Sequence, residues 1–204
     1  MCFHTIQNKL AVQIEKRFNA KIKDINEFAP HEHFNGFTFP KTPIITDEHP
    51  EVIEHYSWGL IPHWAKDDQI RAITLNARIE TVEEKPSFRD AVSHRCLVIA
   101  NGFYEWQWLD SKGKNKVKYE IGIGNEKLFA FAGLYSHWTD THTGEIKNTY
   151  TILTTEANEL MAEIHNHKKR MPVVLHPEDE LRWLDGAPIK EFSFPYNVKL
   201  VARK

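Results

Sequence analysis

The sequence predicts an α+β fold whose strands are largely antiparallel. Residues 95–107, 116–123, 127–135 and 148–154 are rich in β-branched and aromatic side chains, with turn residues between them. Apolar residues at helical spacing lie before and after this block rather than between its strands. The chain has 204 residues and a hydrophobic fraction of 41%, which is enough for a sizeable core. We therefore expect one domain over residues 1–204.

The first half of the chain predicts one helix and then a loop-rich region. Residues 9–19 place Leu10, Ile14 and Phe18 on one helical face, so an amphipathic helix is expected there. Five prolines then fall within residues 30–62, where we expect loops with short extended pieces.

The second half predicts an antiparallel meander followed by helices. Regular strand patterns begin near Arg95. The turn residues between the predicted strands lie at 110–113, 124–125 and 141–144. A helix is expected from about Glu156 to Asn166, and another should open after Pro177 and end near Gly186.

Composition limits the classes of function. The net charge of −2 argues against a protein that coats nucleic acid nonspecifically, so any nucleic-acid site must be a local groove. No apolar run of about 18 residues is present and the N-terminus lacks a signal-peptide core, so we expect a cytoplasmic protein without a membrane anchor. The chain has two cysteines, and Cys96 lies in an apolar run typical of a buried strand, so no disulfide is expected.

Two His-X-His patterns, His31-Glu32-His33 and His165-Asn166-His167, are candidate metal ligands. No cysteine pair and no third ligand lies at a recognisable spacing from either pattern. We therefore expect no metal site, and no motif in the chain indicates a cofactor.

Cys2 directly follows the initiator methionine, and this placement is the most informative in the chain. Methionine aminopeptidases remove Met1 when the next residue is small, so we expect a mature chain that begins with cysteine. An N-terminal cysteine is a 1,2-aminothiol, with an ordinary amine pKa of about 7.7–8.0 and an ordinary thiol pKa of about 8.5. Both groups should be partly deprotonated near neutral pH, and together they can convert an aldehyde into a thiazolidine. The alternative is an accidental small residue in a frayed terminus.

Two segments combine tryptophans or cations with polar groups. Trp58 is expected in the core, whereas Trp64 could be either a core residue or a platform for unpaired bases. Asn76 offers a donor and an acceptor, and Arg78 and Lys85 suit phosphates, although spacing alone favours a solvated charged face.

Two further segments suit proton transfer. Glu105 stands between aromatics on a predicted strand, where desolvation would raise its pKa, although strand alternation could instead leave it exposed. His165 and His167 precede Arg170 just beyond a predicted helix, where they could bind phosphate or move protons.

Taken together, these segments resemble the SOS-response-associated peptidase (SRAP) family of abasic-site processing proteins. The resemblance is an ordered series that covers nearly the whole chain. Its members are Cys2, 58–64, 76–80, 85–89, 95–98, 102–106, 132–135, 151–158 and 170–172. It implies a barrel-like β core with peripheral helices. It also implies that Cys2 traps the aldehyde of an abasic site in single-stranded DNA as a thiazolidine crosslink that shields the lesion.

The resemblance further implies roles for individual residues. Asn76 would contact the trapped sugar and the Cys2 backbone, Glu105 would shuttle protons, and His165 would promote sugar opening and crosslink reversal. The residues expected to contact DNA are Trp64, Arg78, Lys85, Trp106 and Arg170.

The chain departs from the family pattern in three places. Phe3 and His4 stand where the family commonly has Gly and Arg. The spacing from His165 to Arg170 is longer than usual, which makes His167 a rival for the catalytic role. The closing segment after Asn197 is short.

Two alternative functions remain open, together with one side reaction. A thiol peptidase, the older label of the family, would need a base such as His165 beside Cys2. A noncatalytic module would bind single strands through Trp64, Trp106 and basic residues. The same Schiff base could also support β-elimination at the lesion. We expect a monomer whose partner is single-stranded DNA that contains abasic sites.

Overall fold

A computed structural model describes residues 2–125 and 127–204. The strands are β1 (His4–Gln7), β2 (Lys21–Ile22), β3 (His31–Asn35), β4 (Lys41–Thr46), β5 (Val52–Trp58), β6 (Asn76–Arg78), β7 (Arg95–Ala100), β8 (Gly102–Trp108), β9 (Lys116–Gly122), β10 (Phe129–Thr139), β11 (Ile146–Glu156), β12 (Arg170–Pro172) and β13 (Val201–Arg203). The α-helices are α1 (Ala11–Phe18), α2 (Glu159–Ile164) and α3 (Glu180–Leu184).

Five strands close into a barrel, which confirms the predicted α+β class with a barrel-like core. The order β11-β10-β7-β4-β5 is antiparallel throughout, and a parallel pairing of β11 with β5 closes the ring. Strand β6 adds to β11 in parallel, with Asn76 opposite Ile152. A second sheet has the order β13-β9-β8-β1-β3, and it carries the N-terminal segment.

The predicted strand over residues 95–107 is two strands, and the simple meander is wrong. The chain changes sheet at Asn101, which lies between the end of β7 in the barrel and the start of β8 in the second sheet. Asn101 is held there by long-range bonds, because its N–H donates to the Ile6 carbonyl and its side chain accepts from the Asn8 N–H. Such contacts leave no local signal in the sequence.

Apolar side chains pack on both faces of the barrel strands. On β7, Leu97 and Ile99 pack with Ile14 of α1 and Trp183 of α3. Alternate residues on the opposite face belong to a cluster that also contains Cys2 and Trp58. The expected core position of Trp58 is confirmed, since its ring is fully buried and its Nε1 donates to the Leu75 carbonyl at 2.7 Å.

The three predicted helices are confirmed, with shorter limits. Helix α1 ends at Asn19, which adopts the left-handed conformation with φ of 50°. Helix α2 begins after Asn158, whose side chain accepts a hydrogen bond from the Met161 N–H. Within the described ranges, none of the helices has the length and apolar character that crossing a membrane requires.

Candidate active site

Cys2 lies at the centre of the candidate site. Its side chain is 0% exposed and packs in the same apolar cluster as Trp58. Its Sγ lies 3.9 Å from the His4 carbonyl oxygen, to which the thiol can donate. The segment after Cys2 enters β1, which pairs with β8 and so brings the thiol beside Glu105.

Asn76 fixes the backbone of Cys2. It opens β6, and its Nδ2 donates to the Cys2 carbonyl at 2.8 Å across 74 residues of sequence. Its Oδ1 is buried and has no hydrogen-bond partner within the described part of the chain. That oxygen is an acceptor directed into a site where a bound molecule could donate to it.

Glu105 and His165 form a buried pair of titratable side chains. Glu105 is 8% exposed on β8, while the flanking Tyr104 and Trp106 are only half-buried, so the inward orientation of the carboxylate is the correct one of the two alternatives. His165 follows α2, and its Nε2 lies 4.0 Å from Glu105 Oε2. Its Nδ1 donates to the Arg170 carbonyl at 2.8 Å, which favours the tautomer with the proton on Nδ1. Burial lowers the pKa of His165, so the neutral imidazole prevails at neutral pH.

The Cys2 thiol is held in its neutral form in the chain that still carries Met1. Burial, with a further contribution from the negative charge of Glu105, raises its pKa to about 12. The expectation of a partly ionised thiol concerns the mature chain that begins with Cys2, and it stays a prediction.

Arg170 is engaged in an ion pair that the sequence did not indicate. Its guanidinium donates to both carboxylate oxygens of Glu80 at 2.8 Å and to the Thr154 carbonyl at 2.7 Å. Burial opposes ionisation of Glu80, but the hydrogen bonds from Arg170, the backbone and Thr155, together with the positive charge of Arg170, outweigh it and lower the pKa of that carboxyl. The Arg170 carbonyl therefore contacts His165 directly, while the Arg170 guanidinium is already paired with Glu80.

The other residues expected to contact DNA fall into two groups. Arg78 is exposed on β6, two residues from Asn76, and Trp106 is next to Glu105 on β8. Trp64 and Lys85 form the second group, because Trp64 Nε1 donates to the carbonyl of Pro86 at 3.1 Å. Trp64 is 46% exposed, so it is a surface residue rather than a core residue.

A histidine pair beside the site was not predicted as a unit. His4 Nδ1 lies 2.7 Å from His33 Nε2, and the His4 ring contacts the edge of Trp106 at a centroid distance of 4.8 Å. Burial and the neighbouring charges of His33 and Lys118 lower the pKa of His4 to about 4. In the sequence, the His-X-His pattern at residues 31–33 contains His33 but gives no indication of its partner His4.

The structure separates the two histidines that competed for the catalytic role. His165 faces Glu105, whereas the His167 ring stacks on the indole of Trp108, with centroids 3.9 Å apart and planes 11° apart. In residues 2–125 and 127–204, no group of three or more His, Cys, Asp or Glu side chains is arranged to hold a metal ion.

Comparison with known sequences gives a consistent result. A family model described as SOS response associated peptidase (SRAP) matches residues 1–199. The abasic site processing protein YoaM of Bacillus subtilis is 48% identical over 169 residues, which are 79% of this chain and 71% of that protein. The abasic site processing protein YoqW of the same organism is 48% identical over 143 residues. The abasic site processing protein HMCES of Gallus gallus is 32% identical over 167 residues.

These relatives are longer than the region they share with this chain. The match covers 70% of this chain and 61% of YoqW, and 70% of this chain and 48% of chicken HMCES. The chain therefore spans about half to seven tenths of the length of these relatives.

Solved structures share the fold. A crystal structure of a protein from Bacteroides thetaiotaomicron matches with a TM-score of 0.89 and 36% identity, over 98% of this chain and 90% of that one. A protein from Bordetella bronchiseptica matches with a TM-score of 0.80 and 25% identity, over 98% of each chain.

Proposed function

The chain belongs to the SOS response associated peptidase family, and we propose that it processes abasic sites in single-stranded DNA by bonding covalently to them through Cys2. The observation that carries the proposal is the arrangement around that residue. Asn76 holds the Cys2 backbone, Glu105 lies beside its thiol, and His165 lies 4.0 Å from the Glu105 carboxylate. The names of the similar proteins, abasic site processing proteins, agree with this chemistry.

The proposed reaction requires removal of Met1, which frees the α-amine of Cys2. The amine attacks the C1′ aldehyde of the ring-opened sugar, and loss of one water gives an imine. The Cys2 sulfur then bonds to C1′ while its proton passes to the imine nitrogen, which gives the thiazolidine. The net reaction joins one protein to one aldehyde and releases one water.

The burial of the thiol supports an order for these steps. With Met1 still attached, burial keeps the Cys2 thiol protonated at neutral pH, so we expect the freed amine to react first. Protonation of the imine then places a positive charge next to the sulfur, which favours its ionisation. Glu105 is the nearby base suited to accept the thiol proton.

The acid–base pair serves both halves of the reaction. Imine formation requires a proton to leave the attacking nitrogen and another to reach the departing hydroxyl. Glu105 and neutral His165 can exchange these protons, since they lie within 4.0 Å of each other. Positioned general acids and bases typically contribute about 10²- to 10⁴-fold. Glu105→Gln should therefore slow crosslinking by about that factor.

Two exposed cations and two tryptophans would bind the DNA strand. Arg78 and Lys85 would contact phosphates, and Trp64 and Trp106 would stack on unpaired bases. Arg170 would contact a phosphate only if the strand competed with Glu80 for its guanidinium.

The test is a crosslinking assay with single-stranded DNA that bears one abasic site. The wild-type protein should form a species that survives SDS and boiling. Cys2→Ala should abolish this species. The matched control is Cys96→Ala, because Cys96 is also buried and unpaired but lies on β7, away from Glu105. Normal crosslinking by both variants, or a native N-terminus that retains Met1 in mass spectrometry of the crosslinked product, would refute the proposal.

The same geometry disfavours proteolysis by Cys2. A thiol peptidase attacks an acyl group with a thiolate, which a base usually creates by lowering the thiol pKa. Here Glu105 and burial act in the opposite direction. Cleavage of a protein substrate without DNA would instead favour the peptidase function. Salt-sensitive binding of single-stranded DNA without a covalent product would indicate a noncatalytic binding module.

A further inference from the structure

The chain after His165 is attached to β8 by an asparagine side chain. Asn166 Oδ1 accepts from the Trp108 N–H at 3.1 Å, and Asn166 Nδ2 donates to the Trp108 carbonyl at 2.9 Å. Trp108 is the last residue of β8, where β9 pairs on one side with Lys116 opposite Trp108. On the other side β1 pairs only near the start of β8, at Gly102 and Phe103. The Asn166 amide therefore supplies the donor and acceptor of a neighbouring strand.

Three more contacts surround this attachment. The His167 ring stacks on the Trp108 indole at 3.9 Å, and Gly113 packs so closely on the indole that an added Cβ would lie 2.6 Å from it. Gln107 Nε2 donates to the Glu163 carbonyl at the end of α2, at 3.2 Å. The end of β8 and the end of α2 are thus joined by side chains of four residues, a set we call the β8–α2 clamp: Gln107, Trp108, Asn166 and His167.

The clamp lies directly beside the proposed acid–base pair. Glu105 precedes Trp108 by three residues on β8, and His165 immediately precedes Asn166. Residues 166–169 are exposed, so they have little apolar packing of their own to fix their path. Lys169 adopts a left-handed φ of 50°, and its N–H returns to the His165 carbonyl at 2.8 Å. His165 itself is held by the Met161 and Arg170 carbonyls, and the clamp supplies the side-chain contacts that fix the turn directly after it.

We propose that Asn166 and Trp108 are positioning residues that hold His165 against Glu105. This inference rests on the proposed function for its effect on catalysis, but the geometric effect on His165 does not depend on DNA. The additional residues between His165 and Arg170 then supply two members of the clamp, Asn166 and His167, and they do not disrupt the site.

Losing the clamp should change the environment of His165 in a defined direction. The groups that act on His165 are the Glu105 carboxylate on β8, the positive charge of the chain's N-terminus, the Arg170 carbonyl on β12 and the Lys168 ammonium in the turn. Burial is the main cause of its lowered pKa. Greater exposure of the ring should therefore raise that pKa towards the ordinary value of about 6.5.

The test compares Asn166→Ala with Asn148→Ala, the matched control. Asn148 is another asparagine whose side chain contacts a histidine, His137, on β10. Two readouts are followed: the His165 titration in the free protein by NMR, and the single-turnover crosslinking rate from pH 5.5 to pH 8. A displacement of about 1 Å can cost about 10²-fold, so Asn166→Ala should crosslink about 10- to 100-fold more slowly. The acidic limb of the pH–rate profile of Asn166→Ala should move to higher pH. Asn148→Ala should match the wild type in both readouts.

A conservative variant separates positioning from general loss of structure. Trp108→Phe keeps the backbone groups that Asn166 binds and an aromatic surface for His167, so it should retain most of the rate. An Asn166→Ala protein that is folded and shows the wild-type His165 titration and pH profile would overturn the inference. If the wild-type protein forms no crosslink, the proposed function fails, while the His165 titration still decides whether the clamp positions that ring.

Discussion

Gly133 occupies a site on β10 where no side chain fits, which makes Gly133→Ala a quantitative test of the barrel. An added Cβ would lie 2.7 Å from Cys96 Sγ, 2.9 Å from Val98 Cγ2 and 3.0 Å from the Thr151 carbonyl oxygen. All three neighbours are buried, and one is backbone, so the clash cannot be relieved by a flexible side chain.

The magnitude follows from two opposing effects. Inserting a methyl group into a packed core costs about 1–3 kcal/mol, and contact with backbone places this site at the upper end. Replacing Gly with Ala also stabilises by about 0.4–1 kcal/mol through the unfolded chain. Gly133→Ala should therefore lower the free energy of unfolding by about 2 kcal/mol. With a urea m value of about 2 kcal/mol/M, the midpoint falls by about 1 M.

A double-mutant cycle identifies the clash. Cys96→Ala removes the nearest of the three contacting atoms, so Gly133→Ala should cost at least about 1 kcal/mol less in that background than in the wild type. Urea unfolding followed by tryptophan fluorescence measures all four proteins. A neutral Gly133→Ala substitution, or strict additivity with Cys96→Ala, would show that β10 does not approach β7 as described.

Three further predictions concern charge and exposure. Glu80 is 38% exposed, so solvent weakens its bond to Arg170, and Glu80→Gln should cost about 1–2 kcal/mol at pH 7. Because the pKa of Glu80 is lowered, this difference should be present above the ordinary value of 4.5 and vanish as pH falls through the folded value, which urea unfolding at pH 7 and pH 3 measures. The pKa of His4, lowered from 6.5 to about 4 by burial and by His33, makes the fold less stable as pH falls from 6.5 to 4, and His4→Gln should flatten that decline. Trp64→Ala should weaken binding of intact single-stranded DNA by about 1–3 kcal/mol in fluorescence anisotropy, and an unchanged affinity would remove Trp64 from the DNA path.

Local patterns predicted the elements that local interactions determine. Helix α1 and strands β9, β10 and β11 follow from apolar spacing, β-branched content and turn residues. For the region before Arg95 the sequence predicts only short extended pieces, because prolines interrupt the alternating apolar pattern of the strands. Their pairing depends on distant partners, as in the antiparallel pairing of β4 with β7 and the closure of the barrel by β5 on β11.

Residue patterns in the sequence predict less of the candidate site than of the fold. Alternation along β8 leaves two orientations for Glu105, and the buried face is the one it shares with Phe103, because Phe103 packs in the apolar cluster that contains Cys2. The pairing of Glu80 with Arg170 spans 90 residues, and the short stretch of alternating charges around Glu80 gave no reason to select it. The resemblance to a known family supplied the residues of the site, whereas their geometry required the structure.

The negative charge of Glu105 beside Cys2 is informative because it opposes a simple thiol mechanism. A site selected for a reactive thiolate would place a cation or a helix N-terminus beside the sulfur and would lower its pKa. This site does the reverse, and His165 is neutral there because burial lowers its pKa. A carboxylate at this position is, however, well placed to stabilise a protonated imine on the adjacent nitrogen. The same charge thus suppresses the thiol in the resting protein and favours the cation that would activate it. Only a reaction that begins at the amine uses both effects, which is why the electrostatics of the site favour capture of an aldehyde over attack on a peptide bond.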